Sequence, residues 1–430
     1  VTATTRPQLI EADVLAGLGQ IPSDSIQCVV TSPSYWGLRD YGIPPTSWPE
    51  VNYSPLPGMS KITIPKMVCC LGLEATPEAF IGHCVHVFDE VRRVLRPDGT
   101  LWLNMGDSYT SGKSKSIPED GWVDGESDLG WSNNQSRKPP PGLKPKDLVG
   151  MPWRLALALQ AAGWRLRSDI VWSKPNPMPE SCRDRPTKAH EYIFLMTKSA
   201  RYHYDQEAVK EAVTGNAHSR GDGLHPKLAP AGSGIKSNES WSAATNKLVS
   251  SRNLRTVWKF PTQAYPGAHF ATFPEALPER CIKAGTSPKA CAVCGAPWRR
   301  LVDRTRSFES GSGKSGNLPS GKNGPNLQGG GETLDIRRGP VVHTKTTGWA
   351  PTCDHDAPGG LSVVLDPFAG SGTTLAVAAR LGRASIGIEI SPEYARLARK
   401  RCKIDRPSLE SFEQPLPESL PKKLPIEVVA

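Results

Sequence analysis

The chain has 430 residues, more than one hydrophobic core usually organises, and a hydrophobic fraction of 38% that suffices for a main domain with substantial additions. Lysine and arginine outnumber aspartate and glutamate by 52 to 42, and the resulting +10 favours a polyanionic partner without requiring one. There is no apolar run of about 18 residues and no charged region leading into an apolar core, so neither a membrane span nor a signal peptide is expected, and a soluble, cytoplasmic protein is. In such a compartment the 10 cysteines read as reduced thiols or metal ligands.

In chain order, Leu9 to Glu11 reads as extended, Val14 to Leu18 as a short helix, and Ile26 to Val30 as a continuous apolar strand. That strand runs into Ser32, Pro33, Ser34, Tyr35 and Trp36. A simple turn would use Gly, Asn or Asp; two aromatics beside a proline-stiffened turn form a platform for something flat. Arg39 and Asp40 are placed to brace this loop by pairing. Thr76 caps a helix beginning at Pro77, which Pro97 and Gly99 stop before a strand at Leu101 to Asn104. A further helix runs to Ala162, followed by a strand near Asp169 to Trp172. The alternation predicts a doubly wound parallel sheet. Residues 110–145, 213–252 and 304–346 are rich in Ser, Gly, Lys and Pro and read as mobile loops, and the proline-rich tail after Arg406 as extended.

The most informative stretch lies near the end. A buried strand, Val363 to Leu365, runs into Asp366, Pro367, Phe368, Gly370, Ser371 and Gly372, and a helix begins near Thr373. The next strand, Ile386 to Ile390, carries Glu389. Glycines that admit a ligand to the backbone, followed by an acid able to accept both ribose hydroxyls, make a nucleoside-cofactor site. The GK[ST] of a phosphate-binding loop is missing, as is the GxGxxG of a dinucleotide fold.

DPFAGSGTT followed by IGIEI resembles the S-adenosylmethionine site of the DNA amino-methyltransferases, and TSPSYW resembles their catalytic (S/N/D)PP(Y/F) motif. With the catalytic motif first and the cofactor loop last, the order is similar to that of the permuted beta group. The resemblance implies a Rossmann-like α/β fold, circularly permuted, with a target-recognition insertion. It implies cofactor contacts by Asp366, Pro367, Phe368, Gly370, Gly372, Thr373 and Glu389. Phe273 lies in a segment similar to the one that covers the methionine end, and Asp13 is placed like the acid that holds the adenine amine. On this reading residues 1–200 are the catalytic part, 201–265 a target-recognition region, with 296–350 a second candidate, and 266–290 the cofactor cover. Residues 357–406 are the cofactor-binding part and 407–430 the tail.

An exocyclic amine is a poor nucleophile, so an enzyme must hold its hydrogens with acceptors and align it with the methyl carbon. The Ser32 hydroxyl and the Pro33 carbonyl suit that role, and Tyr35 would stack on a base flipped from the duplex. Ser34 departs from the family's second proline, which loosens the turn. Serine at the first position resembles members acting on cytosine N4, aspartate those acting on adenine N6. Ring-carbon methylation would need a Pro-Cys nucleophile in a suitable loop, which is absent. Trp36, Lys174, Asn176, Arg183, Arg185 and Lys188 are the candidate DNA contacts. The implied partner is double-stranded DNA, with a cognate restriction endonuclease and either a monomer or a homodimer left open. Transfer of a methyl group to cytosine N4 is the expected activity; adenine N6 methylation is the first rival, followed by an inactive DNA-binding homologue and a methyltransferase acting on RNA or protein amides.

CAVCGAPW supplies Cys291 and Cys294, and PTCDHD supplies Cys353 and His355. A CxxC knuckle with a following glycine, completed by CxH, reads as a structural zinc site within 291–356, closing a long insert at modest entropic cost. Such a site is expected to pin the insert beside the cofactor loop.

Overall fold

Every residue of Ile26–Thr31 is buried, as a strand covered on both faces must be, and this strand lies within an eight-stranded sheet. The computed structural model describes residues 7–37, 42–110, 139–212, 251–265, 273–307 and 341–404. Arg39 and Asp40, the tail, and most of the three expected loops fall outside them.

The strands of the sheet are β1 (Gln8–Glu11), β2 (Ile26–Thr31), β3 (Leu95–Met105), β4 (Arg165–Ser173), β5 (His190–Thr197), β6 (Val257–Lys259), β7 (Val363–Asp366) and β8 (Ala384–Glu389). Their order is β1-β8-β7-β2-β3-β5-β4-β6. The strand that carries the C-terminal glycine loop therefore lies against the strand that carries the N-terminal catalytic motif, with Val364 opposite Cys28 and Leu365 opposite Val29. The permuted order of motifs in the chain is undone by the order of strands in the sheet.

The sheet is mixed, which corrects the expectation of an all-parallel one. β5 runs antiparallel to both β3 and β4. A parallel neighbour needs a crossover, usually through a helix, whereas residues 174–189 between β4 and β5 contain no helix and fold back directly. β6 then adds in parallel to β4, with Trp258 buried, so the end of the stretch assigned to target recognition belongs to the sheet.

The helices are α1 (Val14–Gly19), α2 (Pro77–Val94), α3 (Met151–Ala161), α4 (Ala276–Gly285), α5 (Thr373–Arg380) and α6 (Pro392–Cys402). Alternation along the strands sorts the core. Val29, Leu101 and Leu103 pack with α1, α2 and α3, while Cys28, Val30 and Trp102 pack with α4 and α5. The Thr76 hydroxyl caps α2 by accepting from the Ala79 N–H at 3.2 Å. Its buried Phe80, Phe88 and Val91 each contribute roughly 1.5–3 kcal/mol of apolar burial. The helix ends at Val94, and Pro97 and Gly99, expected to follow it as a stop, lie inside β3. Among the described residues no helix is long and apolar enough to cross a membrane.

Candidate active site

Seven of the eight strands deliver polar or aromatic residues to one edge of the sheet, and β5, running the other way, presents its first residues there. This is the carboxyl end of the parallel strands, where open α/β sheets bind ligands. A cavity of about 760 Å³ opens there. Asp13, Ser32, Pro33, Ser34, Tyr35, Lys174, Asn176, Lys188, Phe273, Pro367, Phe368, Gly370, Thr373 and Glu389 all line it. Residues from opposite ends of the chain thus share one hollow.

The glycine loop is held from beneath. Asp366 is buried; its Oδ1 accepts from the Thr31 hydroxyl at 2.7 Å and the Phe368 N–H at 3.1 Å, and its Oδ2 accepts from Thr374 Oγ1 at 2.7 Å. Burial pushes this carboxyl up to about 6 against the pull of both hydroxyls. Asp366 does not line the cavity; it ties β2, β7 and α5 together under the loop, a positioning role in place of the expected ligand contact. Gly372 likewise faces α6: at φ +77° a Cβ would stand 3.0 Å from Ala398 Cβ. Gly370 does line the cavity, at φ +52° with open space where a Cβ would be. Its N–H donates to Glu389 Oε2 at 2.7 Å, and Glu389 Oε1 accepts from the Ser391 N–H at 2.8 Å. Burial raises the Glu389 carboxyl, and each oxygen keeps a lone pair for a ligand hydroxyl. Asp13 caps α1 through the Leu15 N–H and accepts from the Thr46 hydroxyl, both at 2.9 Å, while facing the same space.

The catalytic motif follows β2 directly. Tyr35 packs its ring on Gly106, where a Cβ would lie 2.7 Å from Cε2. Its hydroxyl donates to Glu191 Oε2 at 2.9 Å and accepts from Ser32 Oγ at 3.4 Å, a long contact for two hydroxyls. Glu191 also accepts from Asn104 Nδ2 at 3.1 Å and pairs with Lys174, whose ammonium lies 4.5 Å from the centre of the Trp172 ring. Burial, followed by the charge of Glu191, holds the Tyr35 hydroxyl well above its ordinary range, so it stays protonated and can donate. Just beyond Ser34 the Gly37 N–H donates to the Gly72 carbonyl at 2.8 Å and ties the turn to the segment before α2.

Among the expected DNA contacts, Asn176 exchanges hydrogen bonds with Thr262, both at 3.1 Å, which ties the loop after β4 to the one after β6. Lys188 donates to the Asp107 carbonyl, and burial lowers its ammonium. Three residues do not line the cavity. Trp36 donates its indole N–H to the Glu74 carbonyl at 2.9 Å and packs on the core, Arg185 pairs with Glu180 and stacks 3.7 Å from the Tyr109 ring centre, and Arg183 is exposed. The four candidate metal ligands do converge, but not beside the cofactor loop. They sit near the amino ends of β2, β3 and β7, because Cys294 and Gly295 dock on Arg96 and Gln27 there.

Sequence reasoning missed Asn104, Asp107 and Glu191, and also Tyr265 and Arg401. Asn104 and Asp107 carried a signal, polar residues at a strand's carboxyl end. Glu191 carried none, since it reaches the cavity only because β5 is reversed. Arg401 stacks 4.4 Å from the Tyr265 ring centre and donates to Ser371, Thr373 and Glu275, joining the glycine loop to the segment before α4.

A glycine loop and an acid on the next strand, sharing a cavity with a serine-proline-aromatic turn, make a site suited to a nucleoside cofactor beside a second, flat ligand. The DNA methylase family model matches residues 26–292 and 360–400, and the chain belongs to that family. It is 35% identical over 396 residues to the type II methyltransferase M.SmaI of Serratia marcescens, covering 92% of this chain and 90% of that one. To M.Cfr9I of Citrobacter freundii it is 42% identical over 286 residues, 65% of this chain and 73% of the other. The solved PvuII DNA methyltransferase (cytosine-N4-specific) superposes with a TM-score of 0.46 at 15% identity, over 93% of this chain and 87% of that one. The chain is thus a DNA methyltransferase of the N4/N6 amine type. The family's methyl donor is S-adenosylmethionine, and the residues present suit it: Asp13 and Glu389 offer acceptors for amine and hydroxyl hydrogens, Phe273, Phe368 and Ile388 offer apolar walls, and Gly370 leaves its backbone open.

Proposed function

We propose that this chain methylates the N4 amine of cytosine in double-stranded DNA, on a base turned out of the duplex into the cavity. The observation that supports an amine acceptor at Ser32 is the run of contacts from Ser32 through Tyr35 to Glu191, and the choice of cytosine rests on the first-position serine. Glu191, acceptor to Tyr35, Asn104 and Lys174, fixes the Tyr35 hydroxyl as its donor, so the remaining Tyr35 lone pair draws the Ser32 proton. The lone pairs of Ser32 are left facing the cavity as acceptors. An amine held there by two acceptors, Ser32 Oγ and the Pro33 carbonyl, has its hydrogens drawn out of the ring plane and its lone pair localised. S-adenosylmethionine, when bound, supplies a methyl group on a positively charged sulfur. The chain's contribution is alignment, exclusion of water and acceptance of the amine hydrogens, which suffices without a covalent intermediate.

Tyr35 is proposed to stack on the flipped base, with Lys174, Asn176 and Lys188 lining the same cavity as candidate contacts to the flipped nucleotide. A first-position serine supports cytosine over adenine. The formal +10 supports a duplex polyanion as the partner, and a modification enzyme of this kind would share its DNA site with an endonuclease. Incubation with S-adenosylmethionine and unmethylated DNA, followed by mass spectrometry of the digested nucleosides, tests the reading. N4-methylcytosine is the expected product. N6-methyladenine would overturn the choice of base, and cofactor binding without any methylated nucleoside would point to the inactive homologue.

A further inference from the structure

The strongest group of ligating side chains away from the cavity is Cys291, Cys294, Cys353 and His355. One donor atom from each lies within 4.8 Å of the others. Packing does not account for this convergence, since Cys294 and Cys353 are only half-buried and His355 is exposed. The backbone is shaped to produce it. The Cys291 N–H donates to the Ala296 carbonyl and the Gly295 N–H to the Cys291 carbonyl, both at 2.8 Å, closing a tight knuckle. Ala290–Cys291 pairs antiparallel with Gly359–Gly360, which brings the segment bearing Cys353 and His355 across. Thr352 Oγ1 donates to the Pro297 carbonyl at 2.7 Å and closes the other side.

We propose that these four side chains bind one structural zinc ion with three sulfurs and one nitrogen. Zinc–sulfur bonds of about 2.3 Å and zinc–nitrogen bonds of about 2.0 Å place tetrahedral donors about 3.5–3.8 Å apart, so donors that already lie within 4.8 Å of one another need to close by no more than about 1.3 Å. With four protein ligands the ion keeps no open position and does no chemistry. Its role is mechanical. The knuckle is bolted to the catalytic sheet, where Arg96 donates to the Cys294 carbonyl and Gln27 donates to the Gly295 carbonyl at 3.0 Å while accepting from the Val363 N–H at 2.6 Å. From it leaves a long two-stranded arm, Arg299–Ser307 with Val341–Ala350, which Arg300 otherwise ties to the body through the buried carboxylate of Asp205. The ion holds both feet of that arm on the amino edge of the sheet, whichever base is methylated.

A second donor group, Cys69, Glu74 and His83, lacks this character. Glu74 already accepts from the Gly72 N–H at 2.8 Å and pairs with His83 Nδ1 at 2.9 Å, and His83 stacks 4.4 Å from the Trp48 ring centre.

The test is elemental analysis of the full-length protein purified without chelators, with cobalt exchange as a second readout. The expected result is about one zinc per chain, falling below about a tenth in Cys291→Ser and unchanged in Cys182→Ser, and an intense thiolate-to-cobalt band typical of a tetrahedral site in the wild-type chain. A metal-free wild-type chain, full zinc in Cys291→Ser, a cobalt spectrum without thiolate bands, or a disulfide between Cys291 and Cys353 found by intact mass would each overturn it. Should Cys291→Ser fail to accumulate, the cobalt spectrum of the wild-type chain decides alone.

Discussion

The two ends of the same sheet treat polar side chains in opposite ways. At the carboxyl end, carboxylates are pushed into burial and spend part of their hydrogen-bonding capacity on backbone: Asp366 on Phe368, Glu389 on Gly370 and Ser391, Asp13 on Leu15. What Glu389 and Asp13 have left faces the cavity, whereas what Asp366 has left goes to the hydroxyls of Thr31 and Thr374. At the amino end, Gln27 and Arg96 spend theirs on protein partners, the knuckle of Cys291 and Cys294 together with Val363 and Asp98. The difference teaches how to separate a site that works on a ligand from one that fastens a segment. In the first, buried polar groups keep unspent acceptors aimed at open space; in the second, they are closed by the chain itself.

Substitutions at the two ends should therefore fail in different ways. The largest effect is expected from Ser32→Ala, which removes a proposed acceptor for the amine and should lower kcat by about 100- to 1,000-fold with little change in cofactor affinity. Single-turnover methylation measures it, and a kcat within a few-fold of wild type would break the acceptor role. Glu191→Gln should follow, since an amide no longer fixes the direction of the Tyr35 hydroxyl; a loss of about 10- to 100-fold in kcat is expected with DNA affinity kept. Glu389→Ala should weaken S-adenosylmethionine binding about 10- to 100-fold, as two lost hydrogen bonds would, leaving DNA affinity intact by titration.

Asp366 sharpens the comparison through pH. Its folded value of about 6 exceeds its ordinary 3.8, so the native state binds the extra proton between them. Stability from this group is fully present below the lower value and is lost as pH rises through the upper one, by about 3 kcal/mol in total. Asp366→Asn should remove that slope between roughly pH 4 and pH 6 in urea-midpoint curves, and an unchanged slope would mean that the carboxyl titrates normally. The smallest effect on the cavity is expected from a change at the other end. Stripping metal from the cysteine site should lower Tm by about 5 °C while calorimetry finds S-adenosylmethionine affinity unchanged. A coupled loss of cofactor affinity would mean that the two ends are not mechanically separate.

Much of this was legible in one dimension. The strand preceding Ser32, the helix capped by Thr76 and the strand-loop-helix around Gly370 are built from contacts a few residues apart, so periodicity and capping reveal them. The candidate site residues Tyr35 and Glu389 were legible because each stands at the carboxyl end of a readable strand, whereas Asp13 came from the family resemblance. Asp366 was legible as important and not as buried, since whether a carboxylate faces a cavity or a neighbouring strand depends on Thr31, far away in the chain. Trp36 illustrates the same limit: an aromatic in a loop suits DNA as well as core until Glu74 is seen beside it.

The sequence by itself determined the order of the motifs and the four candidate sulfur and nitrogen donors, because residue type and local spacing carry that chemistry, and the resemblance of those motifs to one family implied the class of enzyme. Tertiary structure alone decided that β5 runs backwards and brings Glu191 under Tyr35, that β7 lies beside β2, and that the cysteine site occupies the end of the sheet away from the cavity. Strand direction and strand neighbours are set by which buried faces and backbone hydrogen bonds can be satisfied together across the whole sheet, and no local stretch of chain contains that information.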